Sequence, residues 1–192
     1  MFSELSDFDI IRRGATRSPG SWVGVVSATE PTNALVEGLS SEAEAQRSSP
    51  FQVIDVSAFE PFALGQLLQT LGNASVLLRG FDGWDPRRWR NAELNRNTWL
   101  RDGVTWFLLG PAAAAGLSIH APNVRSLLGP YLILGPDQSV MSSENRESRL
   151  SDLREHYGKT DQEIVAAATD GALELSPHMV EWLILVDRGD LL

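Results

Sequence analysis

Val76-Leu77-Leu78, Val104-Thr105-Trp106-Phe107-Leu108-Leu109 and Tyr131-Leu132-Ile133-Leu134 are three short apolar runs in the stretch from Ser75 to Leu134. A long, polar, arginine-rich segment separates the first two, and an alanine-rich one the last two. Short continuous apolar runs spaced by helix-length segments mark a parallel sheet covered on both faces, because a strand buried on both sides has no polar face to alternate with.

Working outward, the same pattern extends toward the N-terminus. Trp22-Val23-Gly24-Val25-Val26 reads as a strand closed by the polar turn Ser27–Asn33, with a helix starting at Ala34. Phe51–Ser57 reads as a second strand, and its near-continuous apolar content predicts an interior place. Pro61 opens a helix through Leu71, with Phe62, Leu64, Leu67, Leu68 and Leu71 at spacings of three and four. Asp85-Pro86 is an N-cap with a first-turn proline and predicts a helix to about Arg101. Pro111 opens another over 112–117, and Pro122 starts a turn. Residues 1–20 read as a lead-in and a loop closed by Pro19-Gly20. The expectation is an α/β domain over residues 1–138, with about five parallel strands.

Residues 139–151 read as a linker. Beyond them, helices are predicted over Arg149–Tyr157, after the capping box Thr160–Glu163, and after Ser176-Pro177. This segment, 139–192, is too small for a core of its own and is expected to dock on the sheet domain or on a partner.

Composition narrows the function. The net charge of −9 argues against non-specific binding to nucleic acid or anionic membrane. Of the 16 Lys+Arg only Lys159 is lysine. The absence of cysteine removes disulfides, thiolate nucleophiles and Cys-ligated zinc. No run reaches the ~20 apolar residues of a membrane span, and the acidic start lacks signal-peptide character. A bacterial-type cytoplasmic protein is the expectation. His120, His156 and His178 stand in unlike contexts without helical metal-ligand spacing. Gly20-Ser21-Trp22-Val23-Gly24 misses the spacing of a nucleophile elbow. No catalytic residue, metal or cofactor is assigned.

Three places carry a family resemblance: Trp22–Val26 with the turn Ser27–Asn33, the strand Ser75–Gly80 leading to Asp82, and Ala92-Glu93-Leu94-Asn95-Arg96-Asn97-Thr98-Trp99-Leu100-Arg101-Asp102-Gly103 running into Val104–Leu109. Together they resemble the STAND/AAA-like P-loop NTPase domains of bacterial conflict and defence systems, particularly their short, inactive forms. The resemblance implies a P-loop at Ser27–Asn33, an acidic metal ligand at Asp82 and a phosphate-sensing arginine at Arg125. A degenerate nucleotide site would then comprise Ser27, Thr29, Thr32, Asn33, Asp82 and Arg125.

The chain departs from that family where phosphate chemistry resides. A working P-loop needs glycines for close backbone approach, a lysine for the β/γ charge and a hydroxyl for Mg²⁺. Here the turn has neither glycine nor lysine; Glu30 is acidic and Pro31 lacks a donor. Gly158-Lys159-Thr160 follows no strand. Asp82 has the alternative of capping a turn.

The resemblance therefore implies an inactive adaptor or regulatory protein, in antiviral defence or signalling, that binds an effector or signalling protein. Arg79, Arg87, Arg88, Arg90, Arg96 and Arg101 interleave with Trp84, Trp89, Trp99 and Trp106, a mixture found at protein hot spots and on single-stranded nucleic acid. The expected contact residues are Trp84, Arg87, Arg88, Trp89, Arg96 and Trp182. The alternatives are an atypical ATP/GTP-binding switch and a nucleic-acid-binding module.

Overall fold

The computed structural model describes residues 20–28, 33, 36–38, 40–41, 51–134 and 143–192. Among them lies one five-stranded, all-parallel sheet in an α/β fold: β1 (Trp22–Ser27), β2 (Phe51–Asp55), β3 (Ser75–Arg79), β4 (Thr105–Leu109) and β5 (Leu132–Leu134). The order across the sheet is β2-β3-β4-β1-β5. Val26 pairs with Leu109 on one side and with Ile133 on the other, so β1 is interior.

The apolar runs divide by parity. Trp22, Val26, Val76, Leu78, Phe107 and Leu109 enter one buried cluster, and Val23, Val25, Leu77, Trp106 and Leu108 enter the other. Both faces of each run are thus buried, the physical meaning of an unbroken apolar strand. On the first face lie α1 (Pro61–Thr70), α2 (Pro86–Asn95), α3 (Pro111–His120) and α4 (Pro122–Leu128). On the second lies Val36, from the helical residues that follow β1.

The C-terminal helices are α5 (Ser143–Tyr157), α6 (Asp161–Thr169) and α7 (Pro177–Leu185). Leu150, Leu153, Ile164 and Trp182–Leu185 join the first cluster, with α7 packed on α3. The local signals operate as written. Asp85 Oδ1 accepts from the Arg88 N–H at 2.8 Å, the Thr160–Glu163 box closes, and Ser176 caps Met179.

Four expectations need correction. β2 is an edge strand: it ends the strand order, paired with β3, and Gln52, Val53 and Asp55 are exposed. The helix begun at Pro86 stops at Asn95. A 3-10 turn, Arg96–Trp99, follows and drives Trp99 into the core, where its Nε1 donates to the Pro61 carbonyl at 2.8 Å. Gly65 of α1 makes room for this turn, since a Cβ there would lie 2.1 Å from Thr98 Oγ1. Residues after Pro122 form α4 rather than a turn: Glu93 Oε2 receives the Val124 N–H and caps the helix from outside the local sequence. The supposed linker is helical from Ser143 onward.

Candidate functional site

In this strand order the chain leaves β1 in one direction across the sheet and returns through β3 and β4 in the other. Right-handed crossovers then put the segment after β1 on one face and those after β2, β3 and β4 on the opposite face. A crevice opens between such diverging connections, at the C-terminal ends of β1 and β4. Ser27 ends β1 and Gly110 follows β4; Asp82, in the turn after β3, reaches Gly110 at this end of the sheet. Ser27 is buried and in register with Leu134.

Asp82 stands in the 3-10 turn Phe81–Gly83, entered through Gly80 at φ 86°. Gly80 must be glycine twice over, since a Cβ would also sit 2.6 Å from Asp55 Oδ1. The Asp82 carboxylate is committed. Oδ2 accepts from the Gly110 N–H and Oδ1 from the Ala113 N–H, each at 3.2 Å. These are donors of the first turn of α3, so Asp82 caps a helix 28 residues further on in the chain. Gly110 permits the approach: its Cβ would fall 2.4 Å from Oδ1.

β3 ends on a cation, Arg79. Its guanidinium donates to Asn33 Oδ1 and lies 3.5 Å from Asp55 Oδ2. The Asp55 carboxyl is held below its usual range, first by hydrogen bonding from Ser57 and then by Arg79. Arg79 also lines a groove of about 490 Å³ with Asn33, Val36, Glu37, Ser40, Ser41 and Val53. Thr29 and Thr32, with Glu30 and Pro31, lie outside the described residues.

Arg125 is engaged within the fold. Its guanidinium lies 3.8 Å over the Tyr131 ring and donates to the Gly129 and Leu192 carbonyls, both at 2.6 Å. Tyr131 in turn fills a notch at Gly24 of β1, where a Cβ would lie 2.6 Å from the ring. Burial pushes the Tyr131 hydroxyl up to about 12, against the opposing pull of Arg125.

The Arg/Trp surface loses its aromatic half. Trp84, Trp89 and Trp182 are buried, as are Trp99 and Trp106. Trp84, Trp89, Trp99, Phe81 and Phe107 form a continuous aromatic cluster with neighbouring ring centroids 5.0–6.1 Å apart. Large rings bury too much area to be left in water where a core can take them. Trp84 Nε1 donates to the Val56 carbonyl and Trp182 Nε1 to Asp161 Oδ1. Trp89 lies against Gly116 of α3, where a Cβ would meet its Nε1 at 2.5 Å.

The arginines divide. Arg88 is tied to the Ser57 carbonyl at 2.7 Å and to Glu60, and Arg96 to the Glu93 carbonyl at 2.8 Å. Arg101 is buried, its NH2 group donating to the Gly72 and Ala74 carbonyls at 2.9 and 2.6 Å. Desolvation lowers its pKa. Arg87 and Arg90 remain exposed.

One grouping escaped the sequence reading. His178 Nδ1 lies 2.8 Å from the Tyr157 hydroxyl, and the His156 ring centroid is 5.9 Å from that of His178. Only the α5–α7 packing brings these residues together, so no spacing signal existed. Among the described residues no three His, Asp or Glu side chains gather as a metal would require, and no helix is long and apolar enough to cross a membrane. Comparisons with protein-family models, curated proteins and solved structures find no match to this chain.

Proposed function

We propose that this chain is a non-hydrolysing, P-loop NTPase-like adaptor or regulatory protein that works through protein–protein contacts. The observation that carries the reading is the engagement of Asp82. A carboxylate held by the Gly110 and Ala113 amides has a structural role as a helix cap, one that needs no metal.

The other strand-end groups support the same reading. Arg79 is engaged by Asn33 and Asp55, and Arg125 is held by Tyr131 and Leu192. The five-stranded, all-parallel sheet is compatible with the family resemblance. Bacterial defence or signalling is the setting that the resemblance implies.

Titration calorimetry with ATP, ADP and GTP in the presence of Mg²⁺ tests the proposal. The expected result is no heat of binding. Saturable, Mg²⁺-dependent binding that is lost in Asp82→Ala would overturn it in favour of a nucleotide switch.

A further inference from the structure

The outer face of α2 carries an arrangement that its own stability does not explain. Between residues 86 and 96 there are four arginines and one glutamate, in a chain of net charge −9. The first turn of α2 contains no acidic residue; Arg87 and Arg88 stand beside the positive end of the helix dipole. By contrast, α6 starts with Asp161 and Glu163, the favourable sign. The Asp85 cap already supplies a negative charge at this helix start, so the dipole gives Arg87 no folding role there.

The partners sharpen the point. Arg79, Arg88, Arg146, Arg149, Arg154 and Arg188 each pair with a carboxylate. Arg87 and Arg90 have no such pair among the described residues; Arg90 Nε donates only to the Pro86 carbonyl of its own helix. Four residues beyond Arg90, on the same face, is Leu94, which is 78% exposed. Arg87, Arg90 and Leu94 thus form a stripe about 10 Å long, two unpaired cations leading to a bare apolar side chain.

We infer that this stripe is a docking site for an acidic protein segment that sets carboxylates against Arg87 and Arg90 and an apolar side chain against Leu94. This rests on the adaptor reading and names the chemistry of its partner. Carboxylates suit arginine forks geometrically. Leu94 gives a polyphosphate backbone nothing to bind, whereas a protein segment can set an apolar side chain against it.

Fluorescence anisotropy provides the test, with a labelled peptide of Glu, Leu and Ala as the probe. Its Lys-for-Glu counterpart and a single-stranded DNA oligonucleotide serve as rivals. The full chain should bind the acidic peptide saturably and neither rival. Arg87→Glu with Arg90→Glu should weaken binding by about tenfold or more, and Leu94→Asp comparably. Both variants should melt as intact proteins. Arg87→Glu alone should raise the thermal midpoint by about 1–3 °C, because it corrects the charge at the helix start. A residue that weakens the fold and strengthens binding is the signature sought. No saturable binding of the acidic peptide, equal binding of either rival, or unchanged affinity in the charge-reversed variant overturns the inference. Such a failure with calorimetry still silent leaves the adaptor reading standing. Nucleotide binding alongside intact peptide binding overturns only that earlier reading.

Discussion

Two sets of arginines in this molecule face opposite ways. Arg79, Arg101 and Arg125 point into the strand ends and loops, where their guanidinium groups are used up on carbonyls, an amide oxygen and an aromatic ring. Arg87 and Arg90 stand on an outer helix face with no acid beside them. The residue type is the same, and so is the stretch of chain for Arg87, Arg90 and Arg101. What differs is the demand around each. Arg101 and Arg125 satisfy backbone carbonyls and Arg79 joins side chains of two other segments, whereas Arg87 and Arg90 have no carboxylate partner among the described residues. An arginine-rich segment is therefore two populations, and only the second is available to a partner.

The comparison breaks most sharply at Arg101. Arg101→Ala strips donors from the Gly72 and Ala74 carbonyls and leaves a void, and should cost about 2–4 kcal/mol in chemical denaturation. Arg101→Lys should recover only part, since an ammonium lacks the planar fork. If the alanine variant unfolds at the same denaturant concentration as the parent, the inner set is not structural.

A smaller effect is expected at Asp82. Removal of a helix cap by Asp82→Ala should cost about 1–2 kcal/mol with no nucleotide present. Asp82→Asn, which keeps an acceptor, should cost less. An unchanged thermal midpoint in the alanine variant would mean that the carboxylate is kept for something other than α3.

The smallest effect concerns pH. Hydrogen bonds from Arg154, and secondarily from Trp182, hold the Asp161 carboxyl below its ordinary 3.8. A carboxyl depressed in the folded state adds stability above its unfolded pKa, and that stability is lost as pH falls through the folded value. The midpoint of the parent should therefore drop more steeply than that of Asp161→Asn once the pH falls below about 4. Parallel pH profiles would show that this ion pair contributes nothing, as many partly exposed pairs do.

Much of the architecture was legible because the strands bury both faces. An unbroken run such as Phe107-Leu108-Leu109 allows few alternatives, and Asp85, Thr160 and Ser176 announce their helices in short-range chemistry. Two of the misreadings share one cause, which is contact across long separations. The helix from Pro86 ends where Trp99 must reach the Pro61 carbonyl, and α4 exists because Glu93 caps it; neither partner is near in sequence. The same holds at the candidate site. Asp82 was open to either a metal or a turn, and its true partners are amides nearly thirty residues away. The tryptophans were misplaced for a plainer reason. Interleaving with arginine says nothing of which side of a helix faces inward, and Trp89 faces inward while Arg90 faces out.

The notch at Gly24 has a consequence for how this protein tolerates change. Tyr131 sits in it, Arg125 lies on Tyr131, and Arg125 holds the Leu192 carbonyl. A single methyl group added at the middle of this interior strand would push the ring outward and be felt at Leu192. Variation at positions 24, 125 and 131 is therefore coupled, and the effect of changing any two of them will differ from the sum of changing each alone.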